Sequence, residues 1–254
     1  EPGCEFVGWR GINSTATEIR FIMNESKALV AVFQPKPGEI GIVAGRYAGL
    51  IHSEDVIAPQ RSGYFELNVQ QSGAFNGMLS IGAASAPLGG QIDAWGQGRQ
   101  IFERPGETPL ILNFQIDPTG NSDRIAGSLE ADGNRIYLGG FRSELSGLSS
   151  GIRAGKYTMI LPSPTNTWNS PLGDGFGEIN IAPTGVLSFN GELPDGTIIK
   201  QKSYVSRSGI WPMHIPLYGG KGVLTGWVVI TQDEQMDIHG DLRWITPPDP
   251  ADTY

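Results

Sequence analysis

From Tyr64 to Val69 apolar and polar side chains alternate: Phe65, Leu67 and Val69 fall on one side, Tyr64, Glu66 and Asn68 on the other. A period of two marks a β-strand with one face buried. Gln71-Ser72-Gly73 reads as a turn and Ala74 to Ile81 as the returning strand. Further strands are predicted over 46–51, 89–95, 100–102, 110–116, 125–129 and 135–141, with turn chemistry at Asp117-Pro118-Thr119-Gly120-Asn121 and Asp132-Gly133-Asn134. A strand about every ten residues fits an antiparallel sandwich or barrel. Near the N-terminus Ile19, Phe21 and Met23 alternate, as do Leu29, Ala31 and Phe33, which predicts a short hairpin turning at Asn24-Glu25-Ser26. Gly and Pro interrupt every candidate helix, so less than about a tenth of the chain is expected to be helical.

The pattern occurs twice. Gly45-Arg46-Tyr47 matches Gly155-Lys156-Tyr157, and the strand at Gly63–Val69 matches Gly175–Ile181. Asn76-Gly77-Met78-Leu79 matches Asn190-Gly191-Glu192-Leu193, and Ile125–Leu129 matches Ile238–Leu242. The four offsets are 110, 112, 114 and 113 residues, in order along the chain. A period this long is the duplication of a domain or half-barrel, not of a solenoid repeat. The expected organisation is an N-terminal β unit over 1–34, a linker over 35–43, a first meander over 44–149, a second over 150–247 and a Pro-rich tail over 248–254. Linker and tail are identified by Gln34-Pro35-Lys36-Pro37-Gly38 and Pro247-Pro248-Asp249-Pro250.

Composition narrows the class. The 254 residues include 36 Gly and 18 Pro, with 39% hydrophobic and 17% charged residues, as in an extracellular β-protein rich in turns. The net charge of −8 and the absence of a Lys/Arg cluster argue against nucleic acid as a partner. No apolar run approaches the roughly 20 residues of a membrane-spanning helix, so no membrane insertion is expected. The single cysteine, Cys4, excludes an internal disulfide and is expected as a small buried residue.

Two resemblances add context. Phe6-Val7-Gly8-Trp9-Arg10-Gly11 followed by Met23-Asn24, Lys27, Leu29, Ala31 and Phe33 resembles the C-terminal part of internalin-B-type "bacterial repeat" modules. The match begins mid-motif, which implies a chain cut from a longer multidomain protein, in a secreted or cell-surface context. The region from about 40 to 246 resembles a duplicated C-terminal β-module of large, uncharacterised bacterial surface proteins. Its marks are Gly155-Lys156-Tyr157, Gly173-Asp174-Gly175-Phe176-Gly177, Asp195-Gly196-Thr197, Trp211-Pro212, Leu217–Gly222 and Gly226-Trp227. That resemblance implies no site residues.

Candidate chemistry is sparse. His52, His214 and His239 stand apart without metal-ligand spacing, and no nucleophile elbow occurs. Glu66 and Glu178 occupy equivalent positions in the two copies; if the copies pack about a pseudo-twofold axis, both approach one cleft and suit glycoside hydrolysis, and otherwise they are the solvated face of a sheet. Asp117, Asn121 and Asp123 are loosely spaced like a calcium loop but lack its closing Glu, so a hairpin turn is the better reading. Trp168, flanked by Asn166 and Asn169 in a polar loop, is a loop anchor or a stacking platform for a sugar. Trp227 and Trp244 are expected in the core or lining a barrel, and His239 outward on a strand.

The sequence therefore predicts an all-β, antiparallel protein in which two tandem meanders form two barrels or one larger closed sheet, similar to up-and-down barrels such as streptavidin. The expected function is a non-catalytic structural, spacer or adhesive module of a secreted or cell-surface bacterial protein, with no cofactor. Its partners would be further domains of a longer chain, other copies joined head to tail, or surface glycans. A carbohydrate- or small-ligand-binding module is the alternative, and a polysaccharide-active enzyme using Glu66 and Glu178 the third.

Overall fold

The computed structural model describes residues 4–22, 24–35, 40–53, 58–117, 122–143, 152–163, 173–231 and 238–247. Among them the only regular elements besides short 3-10 turns are β-strands, and every pairing is antiparallel. Two strands, β1 (Cys4–Arg10) and β2 (Val30–Pro35), form an N-terminal hairpin. Its first strand lies upstream of the expected one. Phe6 packs edge-on against Phe33 at 5.6 Å and Trp9 at 5.5 Å, whereas Phe21 and Ile22 stay exposed and join no strand.

Eight strands follow in a nearly closed first barrel: β3 (Gly45–His52), β4 (Gly63–Val69), β5 (Ala74–Ile81), β6 (Ala84–Gln91), β7 (Gln97–Phe102), β8 (Leu110–Ile116), β9 (Arg124–Ala131) and β10 (Asn134–Ser143). They pair in the order β6-β5-β4-β3-β10-β9-β8-β7, so the last strand closes onto the first. The strand expected at 89–95 is instead β6. Residues 92–96 form the turn into β7, where the Asp93 carboxylate accepts from the backbone N–H groups of Trp95 and Gln97 at 2.9 Å. Such a self-capped Asp turn ends a strand regardless of the Ile92 and Trp95 beside it.

The second unit comprises β11 (Gly155–Leu161), β12 (Gly175–Ile181), β13 (Val186–Glu192), β14 (Ile198–Tyr204), β15 (Ile210–Leu217), β16 (Gly222–Ile230) and β17 (Ile238–Ile245). These form a four-stranded sheet, β11-β12-β13-β14, and a three-stranded sheet, β15-β16-β17, around one core. Core residues alternate along each strand as the period of two requires: Gly175, Gly177, Ile179 and Ile181 of β12 are buried, and Phe176, Glu178 and Asn180 are exposed.

Matching hydrogen bonds set the same turns in both units. The N–H of Gly96 reaches the Asp93 carbonyl at 3.0 Å, and that of Gly209 reaches the Ser206 carbonyl at 3.0 Å. The carbonyls of Gly96 and Gly209 accept from Ile116 and Ile230 at 2.9 and 2.8 Å. Both glycines have positive φ, 75° and 80°, which a Cβ would strain.

Candidate functional site

The seams between β6 and β7, and between β14 and β15, lack a backbone ladder, and a glutamine bridges each. Gln100 of β7 donates to the Pro87 carbonyl at 3.0 Å and accepts from the Gly89 N–H at 2.9 Å. Gln201 of β14 donates to the Pro212 carbonyl at 3.1 Å and accepts from the His214 N–H at 3.3 Å. A primary amide carries both a donor and an acceptor, so it pairs with a strand edge as a peptide group does. Pro87 and Pro212 lack the N–H that a full ladder would need. A proline inside a strand pattern was the available sequence signal for both edges.

The two units dock through the outer face of β3 and β4 against β14, β15 and β16. Tyr64 Oη lies 2.9 Å from Ser203 Oγ and donates to Glu66 Oε1 at 2.9 Å. Burial raises the Tyr64 hydroxyl pKa well above its ordinary value, and the neighbouring Glu66 carboxylate pushes the same way. The Arg46 guanidinium sits 4.2 Å above the Tyr204 ring, and Phe141 meets Trp227 edge to face at 5.5 Å. Trp227 is therefore part of the contact between units and not of a core, because the period of two turns it outward from the inward-facing Val228. Trp244 does face the core, half-buried, and its indole N–H donates to Tyr218 Oη at 3.1 Å.

Behind this contact lies Arg142, a buried cation on β10. Its Nε donates to Asp123 Oδ1 at 2.7 Å, its Nη2 lies 2.6 Å from the same oxygen, and Nη1 donates to the Ile42 carbonyl. Arg207 of the second unit brings a guanidinium nitrogen to 3.6 Å from Asp123, and its backbone N–H donates to the Arg142 carbonyl at 3.4 Å. A bridge between Ser143 and Ser206 continues the junction. Asp123, a loose calcium candidate in the sequence, is thus committed to two arginines, whose charge opposes a cation there. Asp117 is described without a shared centre, and Asn121 lies outside the described residues.

His214 is buried on the outer face of β15, its Nδ1 3.3 Å from Thr225 Oγ1. Desolvation holds its pKa down at about 4. His52 and His239 are exposed.

At the rim of the docking face a crevice of about 200 Å³ is lined by Leu50, His52, Thr225, Trp227, Asp241 and Arg243. Its volume is below the roughly 300 Å³ at which ligand pockets begin. A wide, open hollow of about 740 Å³ lies along the hairpin from Val7 to Thr15.

Glu66 and Glu178 have separate environments. Glu66 is half-buried at the docking face with Tyr64, whereas Glu178 pairs with Lys156 at 3.1 Å in solvent. Neither lines a described hollow. Trp168, Asn166 and Asn169 lie outside the described residues. Among the described residues no cluster of three His, Cys, Asp or Glu suits a metal ion. Comparison with known protein families, with curated proteins and with solved structures finds no match.

Proposed function

We propose that this chain is a non-catalytic structural module, a rigid spacer or adhesive unit of a secreted or cell-surface bacterial protein. The observation that carries the reading is the junction of the two units. It combines a buried arginine, a stacked guanidinium, an aromatic pair and side-chain hydrogen bonds, which suit transmission of orientation between domains. Interiors packed with side chains leave little room for a substrate, and the two glutamates reside in unlike surroundings. Calorimetry tests the rigid unit: a single cooperative transition for both halves is expected, and two independent transitions would contradict it. Antibody labelling of intact cells tests location, with labelling expected and its absence counting against a surface role.

A second reading has one observation in its favour. The crevice at Trp227 combines an aromatic face with Asp241, Arg243 and His52, groups that hydrogen-bond a small polar ligand or the edge of a sugar. A glycan array with wild type and Trp227→Ala checks it, and equal absence of binding would remove it.

A further inference from the structure

The contact between the two units includes two cross-strand pairs. On the first barrel Leu50 of β3 lies opposite Tyr64 of β4, and on the second unit His214 of β15 lies opposite Thr225 of β16. All four point away from their own cores, because each alternates with core residues of its strand. β15 lies across β3 and β4, so docking buries Leu50, His214 and Thr225 and leaves Tyr64 half-buried.

Because the units are copies, each of these faces has a counterpart that the docking leaves over. Ladders and turns fix the correspondence. Gly45 faces Val69 as Gly155 faces Ile181, and Ile116 closes on Gly96 as Ile230 closes on Gly209. Counted from those anchors, Ile160 and Phe176 of the second unit occupy the positions of Leu50 and Tyr64. Ile101 and Ile111 of the first barrel occupy those of His214 and Thr225. They too are opposite each other, Ile160 with Phe176 and Ile101 with Ile111.

Both left-over pairs are apolar, and they face solvent. Ile160, Phe176 and Ile101 are 64%, 58% and 44% exposed, and Ile111 is partly exposed. Single exposed apolar residues are ordinary on a protein surface. Here the remaining outward positions of the same strands are polar: Lys156 and Thr158 on β11, Glu178 and Asn180 on β12, Arg99 on β7, Asn113 and Gln115 on β8. Along these four strands the large apolar outward residues fall at the positions that dock in the other copy.

We propose that the outer face of β11 and β12 receives the outer face of β7 and β8 of a second copy of this chain, repeating between molecules the contact that joins the units within one. The occupant is a second copy because the face that matches the receiving pair by this equivalence is exposed on the same chain. Two unlike faces meet, so copies add head to tail. Asn113 and Gln91 stand where the docked interface has Trp227 and Tyr204. The aromatic pair and the stacked guanidinium are therefore missing, and the contact is weaker than the intramolecular one. The inference rests on the structural and adhesive reading above and gives it a partner.

The test is the mass of the whole chain in solution, followed by sedimentation as concentration rises from micromolar to millimolar. Mass should rise past that of a dimer. Phe176→Lys and Ile101→Lys should each weaken association at least about tenfold, since each buries an unpaired charge in the contact. Both positions are exposed, so neither variant should move the melting transition of the monomer. An equimolar mixture of the two variants keeps one intact face of each kind and should form one-to-one pairs and nothing larger. Three results would overturn the proposal: a monomer at every concentration, self-association that either substitution leaves unchanged, or a mixture that forms no pairs. A monomer would still leave the single cooperative transition of the docked units standing, so the two readings fail separately.

Discussion

The two units share turns and registers, yet their cores are filled by different means. In the first barrel Gly98 of β7 lies opposite Phe114 of β8, whose ring occupies the space above the glycine. In the second unit the equivalent pair is Trp211 and Val228, so the large side chain has moved to the other strand. Likewise Phe65 covers Gly49 and Gly140 in the first barrel, while Phe189 covers Gly177 and Gly191 in the second. A fixed volume between strands is filled by one aromatic and its glycine partners, and either strand can supply the ring. Conserving total volume while exchanging positions lets duplicated halves diverge without losing the meander. The exchange also separates their sensitivities.

The largest expected effect lies at Trp211, fully buried against Phe189 at 5.4 Å. Trp211→Ala should cost about 3–5 kcal/mol through lost packing and the cavity left behind. Among the described residues its indole N–H has no hydrogen-bond partner. Trp211→Phe should therefore cost much less, since it removes an unsatisfied donor along with some volume. Calorimetry sharpens the comparison. If the units fold as one, the whole transition moves; if only the second unit melts early, the halves are independent.

Next comes Arg142, which has no described counterpart in the second unit. Among the described residues, Arg142→Ala leaves Asp123 with the longer contact to Arg207, and it removes a donor from the Ile42 carbonyl. Asp123 is partly solvated, so the cost should lie near 2–3 kcal/mol, at the lower end for a broken buried pair. Chemical denaturation of wild type and variant measures it, and a loss below about 0.5 kcal/mol would mean that the junction is not held by this pair.

His214 gives the comparison a pH axis, because the matching position of β7 in the first barrel holds Ile101. With a folded pKa of about 4 against an unfolded value near 6.5, His214 is neutral when buried. Between those values the unfolded chain binds a proton that the folded one refuses. Its contribution is thus complete above about pH 6.5 and is lost as pH falls toward 4, a change of about 3 kcal/mol. The stability difference between wild type and His214→Gln should follow that window, and a flat difference would place the imidazole in solvent.

Much of this architecture was legible in the chain. Alternation located the Tyr64–Val69 strand and its partner at Ala74–Ile81, since a half-buried strand writes its face directly into sequence. Repeated Gly-aromatic punctuation marked equivalent strands. The docking face was not legible: Arg46, Tyr64 and Ser203 look like ordinary polar positions of a solvated sheet, and only the packing of the two units against each other covers them. Trp227 was misassigned for that reason, because an outward aromatic under another domain has the same local pattern as an inward one. The hairpin's first strand was missed because its partner lies about twenty residues away in sequence, beyond the reach of a local period.

The pair Glu66 and Glu178 gives the smallest and most discriminating prediction. Sequence makes them equivalent, and both lie outside a barrel, but only Glu66 is covered by the other unit. Glu178→Ala loses an exposed ion pair with Lys156, whose side chains are 58% and 70% exposed, and should change stability by less than about 0.5 kcal/mol. Glu66→Ala removes the acceptor of a half-buried tyrosine hydroxyl that retains Ser203 as partner, and should cost about 1 kcal/mol. Measured together, the two variants report whether docking makes identical positions unequal. Equal effects would mean that Tyr64 and Ser203 spend much of their time apart in solution.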